Sequence, residues 1–96
     1  MIKHIVFFKI NVDNKSEELR KLKSMIEDLG KTVPDVIKIE AGINFSERDA
    51  AYDIALVSEF RDRKALAAYQ VHPEHQKLVE YLKGLDREVA VVDYEE

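Results

Sequence analysis

The amino-acid sequence predicts an α+β fold with elements in the order β-α-β-β-α-β. In four segments, apolar residues alternate with polar ones or form short β-branched and aromatic runs, which is typical of strands. In the two segments between them, apolar residues recur every three or four positions, which is typical of helices. This order is that of a ferredoxin-like domain. The length of 96 residues fits one domain spanning 1–96.

The first half of the chain contains a strand, a helix and a second strand. Residues 2–10 are rich in β-branched and aromatic types and predict the first strand. In the helix that follows, Asn14 or Ser16 can cap the first turn, and Pro34 prevents continuation. Residues 36–44 alternate between apolar and polar side chains, which predicts a half-buried strand. One apolar stripe of the helix is formed by Leu19, Leu22, Ile26, Leu29 and Val33.

The second half of the chain places an interrupted helix between two strands. Residues 52–60 predict the third strand and residues 88–94 the fourth. Asp62 can cap the helix, which is interrupted at His72 because a residue before a proline leaves the helical region. Pro73 suits the first position of a new helix. The apolar face of the two helical pieces is formed by Leu66, Tyr69, Leu78, Val79, Leu82 and Leu85.

Composition excludes several functional classes. The chain has no cysteine, which excludes disulfides and thiolate metal sites. Its net charge is −4 and no basic face is clustered, so we expect no nucleic-acid partner. No apolar run approaches the roughly 18 residues of a membrane span, and the N-terminal segment resembles a strand rather than a signal peptide. We therefore expect a cytoplasmic protein without a membrane partner.

Three of the predicted strands are apolar on both faces. Helices cover only one face of a four-stranded sheet, so the other face would leave a large apolar patch in water. We predict that a second copy of the chain covers it, and we assign the face with His4 to the cavity between the two sheets. The alternative is a monomer whose helices and C-terminal tail cover more of the sheet. On the first strand, Ile5 and Phe7 point one way, opposite to Ile2, His4, Val6, Phe8 and Ile10.

The segment from Tyr69 to His75 carries the residues best suited to chemistry. If His72 is a helix cap, His75 occupies the third helical position, where the positive end of the helix dipole disfavours an imidazolium ion. A neutral imidazole is the form that a general base needs. Tyr69 can donate to a developing oxyanion, and Asp93 can orient a histidine by accepting its ring proton. His4 lies on the face that we assign to the cavity.

Each of these residues also has a purely structural interpretation. His72 can be only a helix cap, and His4 a buried polar residue with a backbone partner. Tyr69 can be a core residue, and Asp93 a solvated charge at an edge. His72 and His75 have the spacing of a metal-binding pair, but a cap and a helical residue rarely point at one ion, and no third ligand is apparent. We therefore predict no metal site and no cofactor.

Three segments in combination resemble the stress-responsive dimeric α/β-barrel (Dabb) family. They are residues 1–9, 65–75 and 92–95. The resemblance spans essentially the whole chain, and it implies a ferredoxin-like protomer and a homodimer whose two sheets form a dimeric α/β barrel. Many members are described only as stress-responsive. One member, a plant polyketide cyclase, closes a linear thioester without a cofactor.

The resemblance to that cyclase implies roles for individual residues. It implies that His75 is the base and Tyr69 its catalytic partner. Asp93 would support the base, and His4 would contact the substrate. A further pocket histidine of the cyclase falls at Ile54, which removes a polar group from the pocket wall. An apolar pocket is implied at Val6, Phe8 and Leu56.

We therefore predict a cofactor-free enzyme or binding protein for a small, partly apolar carbonyl compound, such as a cyclase or a related lyase. The first alternative is a stress-related homodimer without catalysis. The second is a haem- or metal-dependent monooxygenase-like barrel, for which only His4 and His75 are available as ligands once His72 caps a helix.

Overall fold

A computed structural model describes all 96 residues of the chain. The four strands form one antiparallel sheet, in which the second strand along the chain lies at one edge and is followed by the third, the first and the fourth. This confirms the predicted ferredoxin-like fold, and the strand limits agree with the predicted ones to within two residues. None of the helices combines the length and apolar character needed to cross a membrane. The elements are β1 (Ile2–Ile10), α1 (Lys15–Thr32), β2 (Val36–Ile43), β3 (Ile54–Phe60), α2 (Arg63–Val71), α3 (Pro73–Lys83) and β4 (Arg87–Glu95).

Side-chain caps fix the limits of α2 and α3. The Asp62 carboxylate accepts a hydrogen bond of 2.8 Å from the backbone N–H of Ala65 and so begins α2. His72 ends α2 and begins α3, because its Nδ1 accepts a hydrogen bond of 3.1 Å from the backbone N–H of Glu74. Pro73 occupies the first turn of α3, where its missing N–H is no loss. The prediction that His72 is a cap is therefore confirmed.

Helix α1 packs closely on β2. Asn14 takes the N-cap position, although its side chain makes no capping hydrogen bond. Gly30 lies inside the helix, and a Cβ atom there would stand only 2.8 Å from the side chain of Ile39 on β2. A residue without a side chain is needed for this approach. The predicted apolar stripe is buried against the sheet and consists of Leu19, Leu22, Ile26, Leu29 and Val33.

The helices cover the face of the sheet that carries His4. The buried residues of β1 all lie on this face, and His4 among them is only 6% exposed. The prediction that this face lines a cavity between two sheets is therefore wrong. Both faces of β1 are apolar, and the helices cover the one that carries Ile2, His4, Val6, Phe8 and Ile10.

The opposite face of the sheet has no element packed on it within the protomer. Ile5 and Phe7 lie there, with Val92 paired to Ile5 across the β1–β4 ladder. Phe7 is 42% exposed and Val92 57% exposed. This confirms that the sheet is apolar on both sides. We call this surface the open face.

Candidate functional site

A cavity of about 230 Å³ lies between the sheet and helices α2 and α3. It contains six of the seven predicted site residues, and only Asp93 is not part of its wall. The polar members of the wall are His4, Tyr69, Gln70, His75 and Arg87. The remaining wall is apolar and consists of Val6, Phe8, Leu56, Leu78, Val79, Leu82, Val89 and Val91.

His75 is a partly buried imidazole in the first turn of α3. Its Nδ1 lies 3.0 Å from the backbone carbonyl oxygen of Gln70. A carbonyl can only accept, so Nδ1 donates and the neutral ring leaves Nε2 as a free acceptor. Burial lowers the pKa of His75 below its ordinary 6.5, the bond to Gln70 opposes this effect, and charge on His4 adds to the lowering. The neutral form therefore predominates at pH 7, with burial as the main cause.

Tyr69 is fully buried beside His75, and their ring centroids are 4.4 Å apart. Its hydroxyl has no hydrogen-bond partner in the protein. Leaving a buried polar group unpaired costs about 1–3 kcal/mol, and native structures contain few such groups. Burial also raises the pKa of Tyr69 well above its ordinary 10.0. The hydroxyl therefore keeps its proton and has a hydrogen bond to donate.

Asp93 pairs with His4 and not with His75. The two residues lie opposite each other in the β1–β4 ladder, and His4 Nδ1–H donates a hydrogen bond to Asp93 Oδ1. The prediction that Asp93 supports the base His75 therefore names the wrong histidine. The Gln70 carbonyl is the group that orients His75.

His4 is fixed on both its ring and its backbone. The hydroxyl of buried Ser58 donates a hydrogen bond of 2.9 Å to the His4 carbonyl oxygen. The His4 ring stands edge-on to Tyr69, with centroids 6.2 Å apart. Tyr69 is thus in contact distance of both cavity histidines. Ile54, which stands where the plant cyclase has a further pocket histidine, is 1% exposed in the core and is not part of the cavity wall.

The Nδ1 atoms of His72 and His75 face different backbone groups. The Nδ1 of His72 accepts from the backbone of Glu74, and that of His75 faces the carbonyl of Gln70. No three or more His, Asp and Glu side chains are grouped so that they could hold a metal ion.

The family model described as "Stress responsive A/B Barrel Domain" matches residues 2–96. The chain belongs to this family. An uncharacterised protein of Streptomyces coelicolor is 38% identical over 99% of both chains. The family membership confirms the resemblance that the terminal strands and the segment around His72 indicate.

Several solved structures similar to this A/B barrel domain are described as dimeric ferredoxin-like proteins. A protein of unknown function from Bacteroides fragilis, described as dimeric with a ferredoxin-like fold, is 33% identical, with a TM-score of 0.87 over 99% of this chain and 95% of its own. A hydroxynitrile lyase from Passiflora edulis has a TM-score of 0.81 over 97% of this chain and 90% of its own. Because the sequence identity is only 15%, this similarity shows a shared fold and nothing about function.

Two polar residues in the cavity of this A/B barrel domain are missing from the sequence predictions. Gln70 acts through its backbone carbonyl, which no side-chain pattern reveals. Arg87 could have been predicted to share a face with Asp93, because alternate residues of a strand lie on the same face. The helix-facing row of β4 reads Arg87, Val89, Val91 and Asp93.

Proposed function

We propose that this A/B barrel protein is a homodimer whose protomers each bind a small, partly apolar carbonyl compound and catalyse proton transfer next to the carbonyl without a cofactor. Such a reaction is the core of cyclase and lyase chemistry. The observation that carries the proposal is the buried Tyr69 hydroxyl without a partner, next to a neutral His75 in a cavity of about 230 Å³.

The two residues fit complementary halves of the reaction. A carbonyl oxygen bound beside Tyr69 would accept the hydrogen bond that the protein leaves unmade. His75 Nε2 would take a proton from the adjacent carbon, and the C–H electron pair would move to give an enolate, whose oxygen Tyr69 stabilises. The enolate carbon then attacks a second carbonyl, as in a cyclase, or forms a C=C bond as a leaving group departs from the next carbon with its bonding electrons, as in a lyase. The proton on His75 returns to the product oxygen or to the leaving group.

The rest of the cavity suits binding and positioning. Val6, Phe8 and Leu56 form an apolar floor for the non-reacting part of the compound. At about 30 Å³ for each water-sized group, the cavity holds about eight non-hydrogen atoms. His4, whose ring is held by Asp93, would contact the compound on the sheet side. The Passiflora edulis neighbour is named a hydroxynitrile lyase, so its name supports a lyase-type reaction in general and not the enolate step in particular.

The open face supports the homodimer. Its apolar centre continues into a groove of about 450 Å³ next to Phe7, and Phe45 at this groove is 97% exposed. Apolar area removed from water contributes about 25 cal/mol per Å², so covering such a face favours association. The dimeric relative from Bacteroides fragilis supports a second copy as the cover.

The reaction is testable before the natural substrate is identified. The rate at which ketones and β-diketones of about eight non-hydrogen atoms exchange their α-protons in deuterium oxide can be followed by proton NMR. The wild-type protein is expected to accelerate exchange of at least one compound. His75→Ala should lose about 10²–10⁴-fold of that rate, as expected for removal of a general base. Tyr69→Phe should lose about 10²–10³-fold, as expected for removal of an oxyanion donor.

His72→Asn is the matched control. Asparagine is a preferred N-cap residue, so this variant removes an imidazole three positions from His75 and keeps the start of α3. It should exchange protons at the wild-type rate. A folded His75→Ala protein with the wild-type rate contradicts the proposal, and so does a wild-type protein that accelerates none of the compounds.

A further inference from the structure

We infer that the cavity takes an anionic ligand, whose carboxylate is bound by Arg87 at the end away from Tyr69 and His75. This inference rests on the proposed function for the reactive end of the cavity. It adds that the compound is an anion, and that its charged end lies away from the reactive end.

The inference starts from the two ends of the cavity floor. The β1–β4 ladder pairs His4 with Asp93 at one end and Ile10 with Arg87 at the other. Six residues separate these pairs, which is about 20 Å along a strand. Arg87, Tyr69 and His75 all line the same cavity of about 230 Å³, so one ligand inside it can meet both ends. The floor between the two ends is apolar, because the intervening pairs are Val6 with Val91 and Phe8 with Val89.

Arg87 is a cation without an acidic partner. No Asp or Glu oxygen lies within 4.0 Å of it, although eight ion pairs between a lysine or arginine and a carboxylate form elsewhere in the chain. Its one hydrogen bond runs from Nη1 to the Leu85 carbonyl oxygen at 3.3 Å. Glu88 follows it in sequence but points to the other face of the strand. A guanidinium has five N–H donors, so most of them are available to a ligand.

The local charge matters because the chain as a whole repels anions. Its net charge is −4, so an anion gains nothing from the overall field of the protein. Any preference for an anion in this cavity must come from a nearby cation, and Arg87 is the only lysine or arginine in the wall. Guanidinium groups bind carboxylates in a two-pronged geometry. The ligand class is therefore an apolar acid of about eight non-hydrogen atoms with a carbonyl near its other end.

Three probes of equal chain length test the inference: octanoate, 1-octanol and octylamine. Their affinities are measured by NMR titration of the wild-type protein, with the resonances of Tyr69 and His75 reporting on the cavity. We expect octanoate to bind about five-fold more tightly than octanol, which corresponds to an ion pair of about 1 kcal/mol. Octylamine should bind least tightly. The advantage of octanoate should shrink as salt rises, because Arg87 is exposed.

Two variants locate the effect. Arg87→Gln should abolish the preference for octanoate and leave the affinity for octanol unchanged. Arg20→Gln, which removes the same charge from an exposed position on α1 outside the cavity, should behave as the wild type.

Four outcomes overturn the inference. If octanol and octanoate bind the wild-type protein equally, or if the preference survives in Arg87→Gln, the anion site is absent while the cavity of the proposed function still stands. If octylamine binds more tightly than octanoate, the anion site is likewise absent and the cavity of the proposed function still stands. If none of the three probes shifts the resonances of Tyr69 or His75, the ligand cavity of the proposed function fails together with the inference.

Discussion

Replacing Tyr69 by phenylalanine is expected to stabilise the protein while it removes the proposed reaction. The substitution keeps the ring, whose centroid lies 4.9 Å from that of Phe60 and 4.4 Å from that of His75. It deletes only a buried hydroxyl without a partner. Because such a group costs about 1–3 kcal/mol, the free energy of unfolding should rise by at least about 1 kcal/mol. For a domain of this size, each kcal/mol corresponds to about 4–8 °C in Tm.

Tyr81→Phe provides the matched comparison, because the Tyr81 hydroxyl donates to the carboxylate of Glu18. Its loss should lower the free energy of unfolding by about 1 kcal/mol, the usual worth of one hydrogen bond. Both variants are unfolded by heat and by urea at one fixed protein concentration, because the stability of a dimer depends on concentration. If Tyr69→Phe is destabilised as much as Tyr81→Phe, the Tyr69 hydroxyl has a structural partner and the site loses its unpaired donor.

Four further outcomes follow from the site and the open face. Because the pKa of His75 is lowered, the rate of proton exchange should stay near its value at pH 7 down to pH 6.5 and fall only at lower pH. A midpoint above 6.5 in the pH–rate profile contradicts this. The unfolded chain binds that proton more readily, so stability measured by urea unfolding should also fall as pH drops below about 6.5. Loss of the base is expected to lower the exchange rate by about 10²–10⁴-fold. Asp93→Asn should lower it far less, because Asp93 supports His4 and not His75. An equally large loss would show that Asp93 supports His75 after all. Val92→Glu should convert the dimer to a monomer in sedimentation velocity, because it places a charge on the apolar open face beside Ile5. An intact dimer would place the interface elsewhere.

The strands and helices were predictable because their patterns are local. An alternation of two or a recurrence of three to four residues is visible within ten residues, and the caps at Asp62 and His72 are single-residue signals. Which face of the sheet meets the helices is not local. On β1, both rows carry large apolar residues, but the row with Phe7 also contains Lys3 and Lys9, so the row with Phe8 was the better candidate for the face under the helices. The wrong choice placed His4 between two sheets instead of under the helices.

The partner of Asp93 was mispredicted for a related reason. Asp93 and His4 are separated by 89 positions and meet only because β4 pairs with β1 in one particular register. Strand order and register depend on the whole chain, whereas the contact between Tyr69 and His75 spans one helix cap and follows from nearby residues. The sequence could therefore place these two side chains together, but it could not assign the carboxylate.

The way in which the protein distributes its hydrogen bonds separates a catalytic from a structural cavity. Both cavity histidines have partners, His4 in the Asp93 carboxylate and His75 in the Gln70 carbonyl. Only the Tyr69 hydroxyl, between them, has none. If the cavity served stability alone, the protein would be more stable with phenylalanine at this position, because burying the unpaired hydroxyl lowers the free energy of unfolding and no hydrogen bond offsets this. Retaining it is reasonable where a ligand oxygen supplies the missing acceptor, because binding proteins and enzymes keep such locally unfavourable groups at their sites. Tyr69 is therefore the residue whose replacement best decides between the two interpretations.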